Sequence, residues 1–154
     1  MVLKLIDGIA DDLDSVMEVM KVAFPDRFGE AWTRSQCAGI LPMTGVRLKL
    51  AKDRGETVGF SLYRTVVDDA ELLLLAVTPD SQGRGIGRLL LEHFIDDAKK
   101  KGATRIHLEV RDGNAAIRLY REAGFVQSNR RRNYYQGRDG KKYDALTFLL
   151  SEER

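Results

Sequence analysis

Between Gln82 and Phe94 the chain reads QGRGIGRLLLEHF, with glycines at 83, 85 and 87 and an apolar run behind them. Glycine accepts backbone dihedrals that other residues avoid and lets a ligand come close to the main chain. The first amides of a helix lack internal partners, and aligned peptide dipoles make that end positive. A glycine-rich turn that opens a helix therefore suits an anion, and a pyrophosphate fits it well. Three phosphate-loop patterns compete. G-x-x-x-x-G-K-[ST] is nowhere in the chain. G-x-G-x-x-G begins at Gly83 and Gly85 but meets Arg88 where its third glycine belongs. Q/R-x-x-G-x-G/A is met in full by Gln82, Gly85 and Gly87. A glycine-rich turn with no ligand is the bland alternative.

Other side chains could move protons or line a cleft. Glu109 lies in RIHLEV, where Ile106, Leu108 and Val110 share one strand face and Arg105, His107 and Glu109 the other. A carboxylate there can act as general base, directly or through water. It can equally form a salt bridge with Arg105 or Arg111. Tyr120 keeps its proton at neutral pH, since its reference pKa is about 10; it either donates that proton or packs with Ile117 and Leu119. Arg130-Arg131-Arg132 before Tyr134-Tyr135 pairs cations with aromatics, as single-strand binders do, or is a solvated strand edge. Trp32 lines a cleft or packs. Cys37 reads as a small core residue, His107 as half-buried and His93 as facing solvent. One cysteine and two distant histidines give no metal cage.

These groups need elements to hold them. Strands are expected over Val2–Ile6, Val46–Lys52 with one wet face, Glu56–Val67 and Thr104–Val110, and again over Phe125–Tyr135 and Tyr143–Leu150. Glu71–Val77 is a continuous apolar run that reads as a central strand buried on both faces. Helices are expected over Asp11–Ala23, over Thr33–Ile40 capped by Thr33, and over Asn114–Ala123. Another follows Ile86, with Leu89, Leu90, Phe94, Ile95 and Ala98 on one face. The 154 residues suit one α/β domain, and the net charge of +2 gives no bulk case for a nucleic-acid or membrane partner. The N-terminus MVLKLIDGIADDLD has too short an apolar part for a signal peptide. No run reaches the length of a membrane span. A soluble cytoplasmic protein is the expectation.

The loop from Gln82 to Gly87 resembles that of the GCN5-related N-acetyltransferases, in which it holds the pyrophosphate of acetyl-CoA. LEVRDGNAAIRLYREAGF resembles the second half of the same site, with Asn114 opening a short helix, Tyr120 near the thioester sulfur, and Gly124-Phe125 after it. Over most of the chain, AELLLLAVTPDSQGRGIGRLLLEHFIDDAKKKGATRIHLEVR and RRRNYY are similar to the ribosomal-protein alanine N-acetyltransferases. Two departures stand out: Asn114 to Tyr120 is one residue shorter than the family spacing, and Phe24 to Trp32 is longer.

The resemblance implies a mixed, mostly antiparallel twisted sheet of six to seven strands flanked by about four helices. It implies acetyl-CoA as co-substrate and no metal. Glu109 would be the base and Tyr120 the acid. The acetyl-CoA contacts would be Leu75, Ala76 and Val77 on the strand; Gln82, Gly83, Arg84, Gly85, Ile86, Gly87 and Arg88 in the loop; and Asn114. A strand bulge near Ala76-Val77 would free amides for the oxyanion and the pantetheine arm. Trp32, Tyr134 and Tyr135 would line the acceptor, a protein N-terminus such as that of a small-subunit ribosomal protein. An α-amine, of pKa about 7.8, is neutral roughly a seventh of the time at pH 7, against about once in 2,500 for lysine. A moderate base suffices for the former. Rivals are an acetyltransferase for a polyamine or antibiotic, a non-catalytic acyl-CoA-binding module, and a basic nucleic-acid module.

Overall fold

The computed structural model describes residues 2–151. Seven strands form one sheet in the order β1-β2-β3-β4-β5-β7-β6. They are β1 Leu3–Asp7, β2 Val46–Asp53, β3 Glu56–Val66, β4 Asp69–Val77, β5 Arg105–Arg111, β6 Phe125–Gln136 and β7 Lys142–Leu150. Among the described residues only the β4–β5 pair is parallel, joined through a helix as parallel crossovers usually are. The α-helices are α1 Leu13–Ala23, α2 Arg34–Ile40, α3 Ile86–Lys100 and α4 Ile117–Glu122. No described helix is long and apolar enough to cross a membrane.

α1 and α3 cover opposite faces of β3 and β4. Under α1 lie Leu13, Val16 and Met20 with Phe60, Leu62 and Leu74. Under α3 lie Leu91, Phe94 and Ala98 with Tyr63 and Leu72. α2 starts as expected: Thr33 accepts the Gln36 N–H at 3.1 Å while the Gln36 side chain accepts the Thr33 N–H at 2.7 Å. Cys37 is buried in the first of these cores.

Several expectations are corrected. The bulge falls not at Ala76-Val77 but between Leu72, opposite Tyr63, and Leu74, opposite Leu62. Strand alternation would put Leu72 and Leu74 on one face; the extra residue, Leu73, sends them to opposite cores. β4 is therefore not buried on both faces along its length, and Leu73 and Leu75 stay half-exposed beside a cleft. The presumed wet face of β2 is covered in the middle by α3. There Lys49 is buried, and its Nζ meets Asp7 Oδ1 at 2.6 Å. On α3, Leu91 is buried and Leu89 is exposed. His93 is half-buried rather than solvent-facing, its Nδ1 enclosed without a hydrogen-bond partner, and burial pushes its pKa down. α4 starts at Ile117 because Asn114 forms a side-chain turn first, its Oδ1 accepting the Ala116 N–H at 2.7 Å.

Candidate active site

β4 and β5 pair from Asp69–Arg105 to Leu72–Leu108 and then part. The opening is a cleft of about 700 Å³ that runs from the start of α3, past α4, to the β6–β7 hairpin. At one end, Gly83 and Gly85 hold φ of 81° and 82°, the left-handed region where a side chain would be strained. The first α-helical bond runs from Leu89 N–H to Gly85 O, and no side chain caps the helix. The amides before Leu89 thus lack intrahelical partners, and Ile86, Gly87 and Arg88 border the cleft. Gln82 steadies the turn by donating from Nε2 to Val77 O at 3.1 Å. Thr78 N–H donates to Val58 on the β3 side. Successive strand amides alternate in direction, so Ala76 also faces β3, whereas Val77 and Leu75 face the parted edge.

Of the catalytic, acetyl-CoA and acceptor residues that the resemblance implied, Arg84 alone stands outside the cleft; its guanidinium pairs with Asp53 at 3.3 Å. Glu109, Tyr120, Asn114, Trp32, Tyr134 and Tyr135 all border it. Glu109 pairs with neither Arg105 nor Arg111. Its Oε2 lies 3.0 Å from Arg131 Nε, and Thr147 Oγ1 donates to it at 3.2 Å. Tyr120 is buried, which raises the pKa of its phenol, and the charge of Glu30 raises it further. Burial also pushes Tyr135 up, helped by the charges of Glu109 and Glu30. Trp32 does both things asked of it, packing against the α1-side core and lining the cleft. His107 is half-buried with Nε2 2.9 Å from Asp69.

Sequence reasoning missed three cleft groups. Glu71 lies on β4 opposite His107, on the same wall as Glu109, and burial raises its pKa. Glu30 and Arg111 form an ion pair at 3.2 Å with both side chains 9% exposed. Asn114 Nδ2 also donates to Glu30 Oε1 at 2.7 Å. The polar-apolar alternation of Asp69–Leu72 could have flagged Glu71; Glu30 sits in an irregular loop with no motif. The three arginines do not form a free basic patch: Arg130 bridges Asp112 and Asp144, and Arg131 holds Glu109. Among the described residues no three His, Cys, Asp or Glu side chains could share a metal ion.

The profile of the acetyltransferase (GNAT) family matches residues 13–125. The chain belongs to that family. The ribosomal protein bS18-alanine N-acetyltransferase of Escherichia coli (strain K12) is 45% identical over 97 residues, 62% of this chain and 65% of the relative. That match spans just under two thirds of the relative's length. The N-alpha-acetyltransferase RimI of Mycobacterium tuberculosis is 42% identical over 91 residues, 56% of either chain. The crystal structure of the ribosomal-protein-S18-alanine N-acetyltransferase from Escherichia coli superposes with a TM-score of 0.85 at 34% identity, over 97% of this chain and 93% of that one. The seven-stranded sheet with its single parallel pair is thus the GNAT fold.

Proposed function

We propose that residues 1–154 act as one N-acetyltransferase domain that moves the acetyl group of acetyl-CoA onto a protein's N-terminal α-amine. An N-terminal alanine of a ribosomal protein is the acceptor the relatives' names suggest. The observation that carries this reading is convergence. A helix start with unpartnered amides and two left-handed glycines opens into the same cleft as a strand carboxylate and a buried phenol.

Each group then has a task. The amides of Ile86, Gly87 and Arg88 hold the diphosphate. The amides of Leu75 and Val77, turned toward the parted edge, donate to the pantetheine arm and to the carbonyl oxygen that becomes negative as the amine adds. Glu109 takes the proton that the amine must lose. Tyr120, kept protonated by burial, donates its hydroxyl hydrogen bond to the departing sulfur. Trp32, Tyr134 and Tyr135 flank the acceptor. Arg131 must yield its place at Glu109 when the cationic amine arrives; it is more than half exposed and free to swing. Glu71 is a second candidate for the base, because burial raises its affinity for a proton.

The test is mass spectrometry of a panel of N-terminal peptides incubated with the protein and acetyl-CoA. Acetylation of the α-nitrogen of alanine-starting peptides is expected. Acetylation only of polyamines or antibiotics would move the protein to small amines, and thiol release no faster than background would leave an acyl-CoA-binding module.

A further inference from the structure

A charged carboxylate is expensive to bury, and an ion pair seldom stabilises a fold more than well-packed apolar residues would. The position of Glu30 therefore calls for a reason other than stability. It belongs to the segment between α1 and α2, which also carries Trp32. Arg111 ends β5, and Asn114 opens the turn into α4. Glu30 meets both: Oε1 accepts a hydrogen bond from Asn114 Nδ2, and Oε2 forms an ion pair with Arg111 whose Nε, 3.2 Å away, is not aligned for a hydrogen bond. The orientation of the Asn114 amide is not arbitrary: its oxygen accepts the Ala116 N–H, so its nitrogen must face Glu30. Arg111 is fixed too, its guanidinium 3.6 Å from the centre of the Phe28 ring and its Nη1 donating to Asp112 O at 3.1 Å.

The two partners of Glu30 lie toward different substrates. Asn114, Ala116 and Tyr120 wall the cleft beside α3, where the acetyl-CoA arm runs in the reading above. The Glu30 segment itself, with Trp32, walls the acceptor end.

We infer that Glu30 is a positioning residue that couples the two binding events. Coenzyme A fixes Asn114, Asn114 fixes Glu30, and Glu30 fixes the acceptor wall. Binding of one substrate then costs the other less ordering. This rests on the acetyltransferase reading. The coupling must be reciprocal, the same factor appearing in either order of binding.

The test is calorimetry with coenzyme A and an alanine-starting peptide, each titrated with and without the other. In the unaltered protein the peptide should bind about tenfold tighter once coenzyme A is saturating. Glu30→Gln keeps an oxygen for Asn114 but leaves Arg111 without its counter-charge, so it is paired with a second variant, Glu30→Met/Arg111→Met. That double change removes both charges and fills the space with side chains of similar length. Its melting temperature should stay near that of the unaltered protein, its affinity for coenzyme A alone within about threefold, and the coupling should fall below about twofold. In turnover, the double variant should raise the peptide KM measured at saturating acetyl-CoA and, by the same reciprocity, the acetyl-CoA KM measured at saturating peptide. Retention of the tenfold coupling in the double variant would overturn the inference, as would absence of coupling in the unaltered protein. Failure of the unaltered protein to bind coenzyme A would instead overturn the reading beneath it.

Discussion

The two ends of the cleft are built by different means. The end at α3 is made of main chain: positive-φ glycines, an uncapped helix start and the amides of a parted strand. The end at the β6–β7 hairpin is made of contacts between distant segments. There Phe28 meets Tyr143 edge-on at 5.3 Å, Arg138 N–H donates to Asp26 O at 3.2 Å, and a side chain at Gly29 or Gly137 would collide with backbone of the facing segment. Main-chain chemistry depends on a few residues in a row and suits a ligand part common to many enzymes. Long-range contact can be rebuilt residue by residue, and so suits the part of the reaction that chooses an acceptor.

The largest expected effect falls where the ends meet. Glu109→Gln should lower turnover by roughly a hundredfold or more, with coenzyme A affinity by calorimetry unchanged. If Glu71→Gln shows that loss and Glu109→Gln does not, the base belongs to β4. Next, Gly137→Ala should separate the ends. Its methyl group would strike the Arg27 carbonyl, at a cost of about 1–3 kcal/mol in urea unfolding. It should raise the peptide KM while sparing coenzyme A binding; loss of both would show that the ends are one unit.

Gly85→Ala is the converse. Nothing crowds a Cβ there, so its cost is the φ of 82°, about 1–2 kcal/mol. Coenzyme A affinity should fall about tenfold, and the peptide should bind as before to the coenzyme-free protein. The smallest effect concerns acidity. Burial holds the Glu71 carboxyl above its ordinary 4.5, so the folded chain keeps that proton to higher pH than the unfolded chain. The resulting stability is complete below the ordinary value and lost as pH rises through the folded one. Glu71→Gln should therefore gain stability relative to the unaltered protein between pH 4 and pH 7, measured by urea unfolding.

The same contrast explains what the sequence could reveal. Gln82, Gly85 and Gly87 are neighbours, so their chemistry is legible in one short window. The elements that present them follow from hydrophobic period, and α2 from its capping residues. Glu30 and Asn114 are 84 positions apart, and no local pattern announces their contact. The partner of Glu109 is neither Arg105 nor Arg111 of its own strand. It comes from β6, two strands away, because β7 lies between. Lys49 looked solvated because lysines usually are; only the packing of α3 and the register of β1 placed it under cover beside Asp7. The position of the bulge is a property of β3 and β4 together, which a single strand's letters do not carry.

Leu73 gives β4 a fixed length. Upstream of it the strand's greasy side faces one helix layer, and downstream the other, so both layers count residues from the same point. A one-residue deletion there would not merely shorten the strand. It would turn Leu74 and Ala76 out of the layer they fill and turn the Leu75 and Val77 amides toward β3, so that different amides, at different positions, face the parted edge. In natural or laboratory variation this chain should accept added or missing residues between its helices far more readily than at that single position.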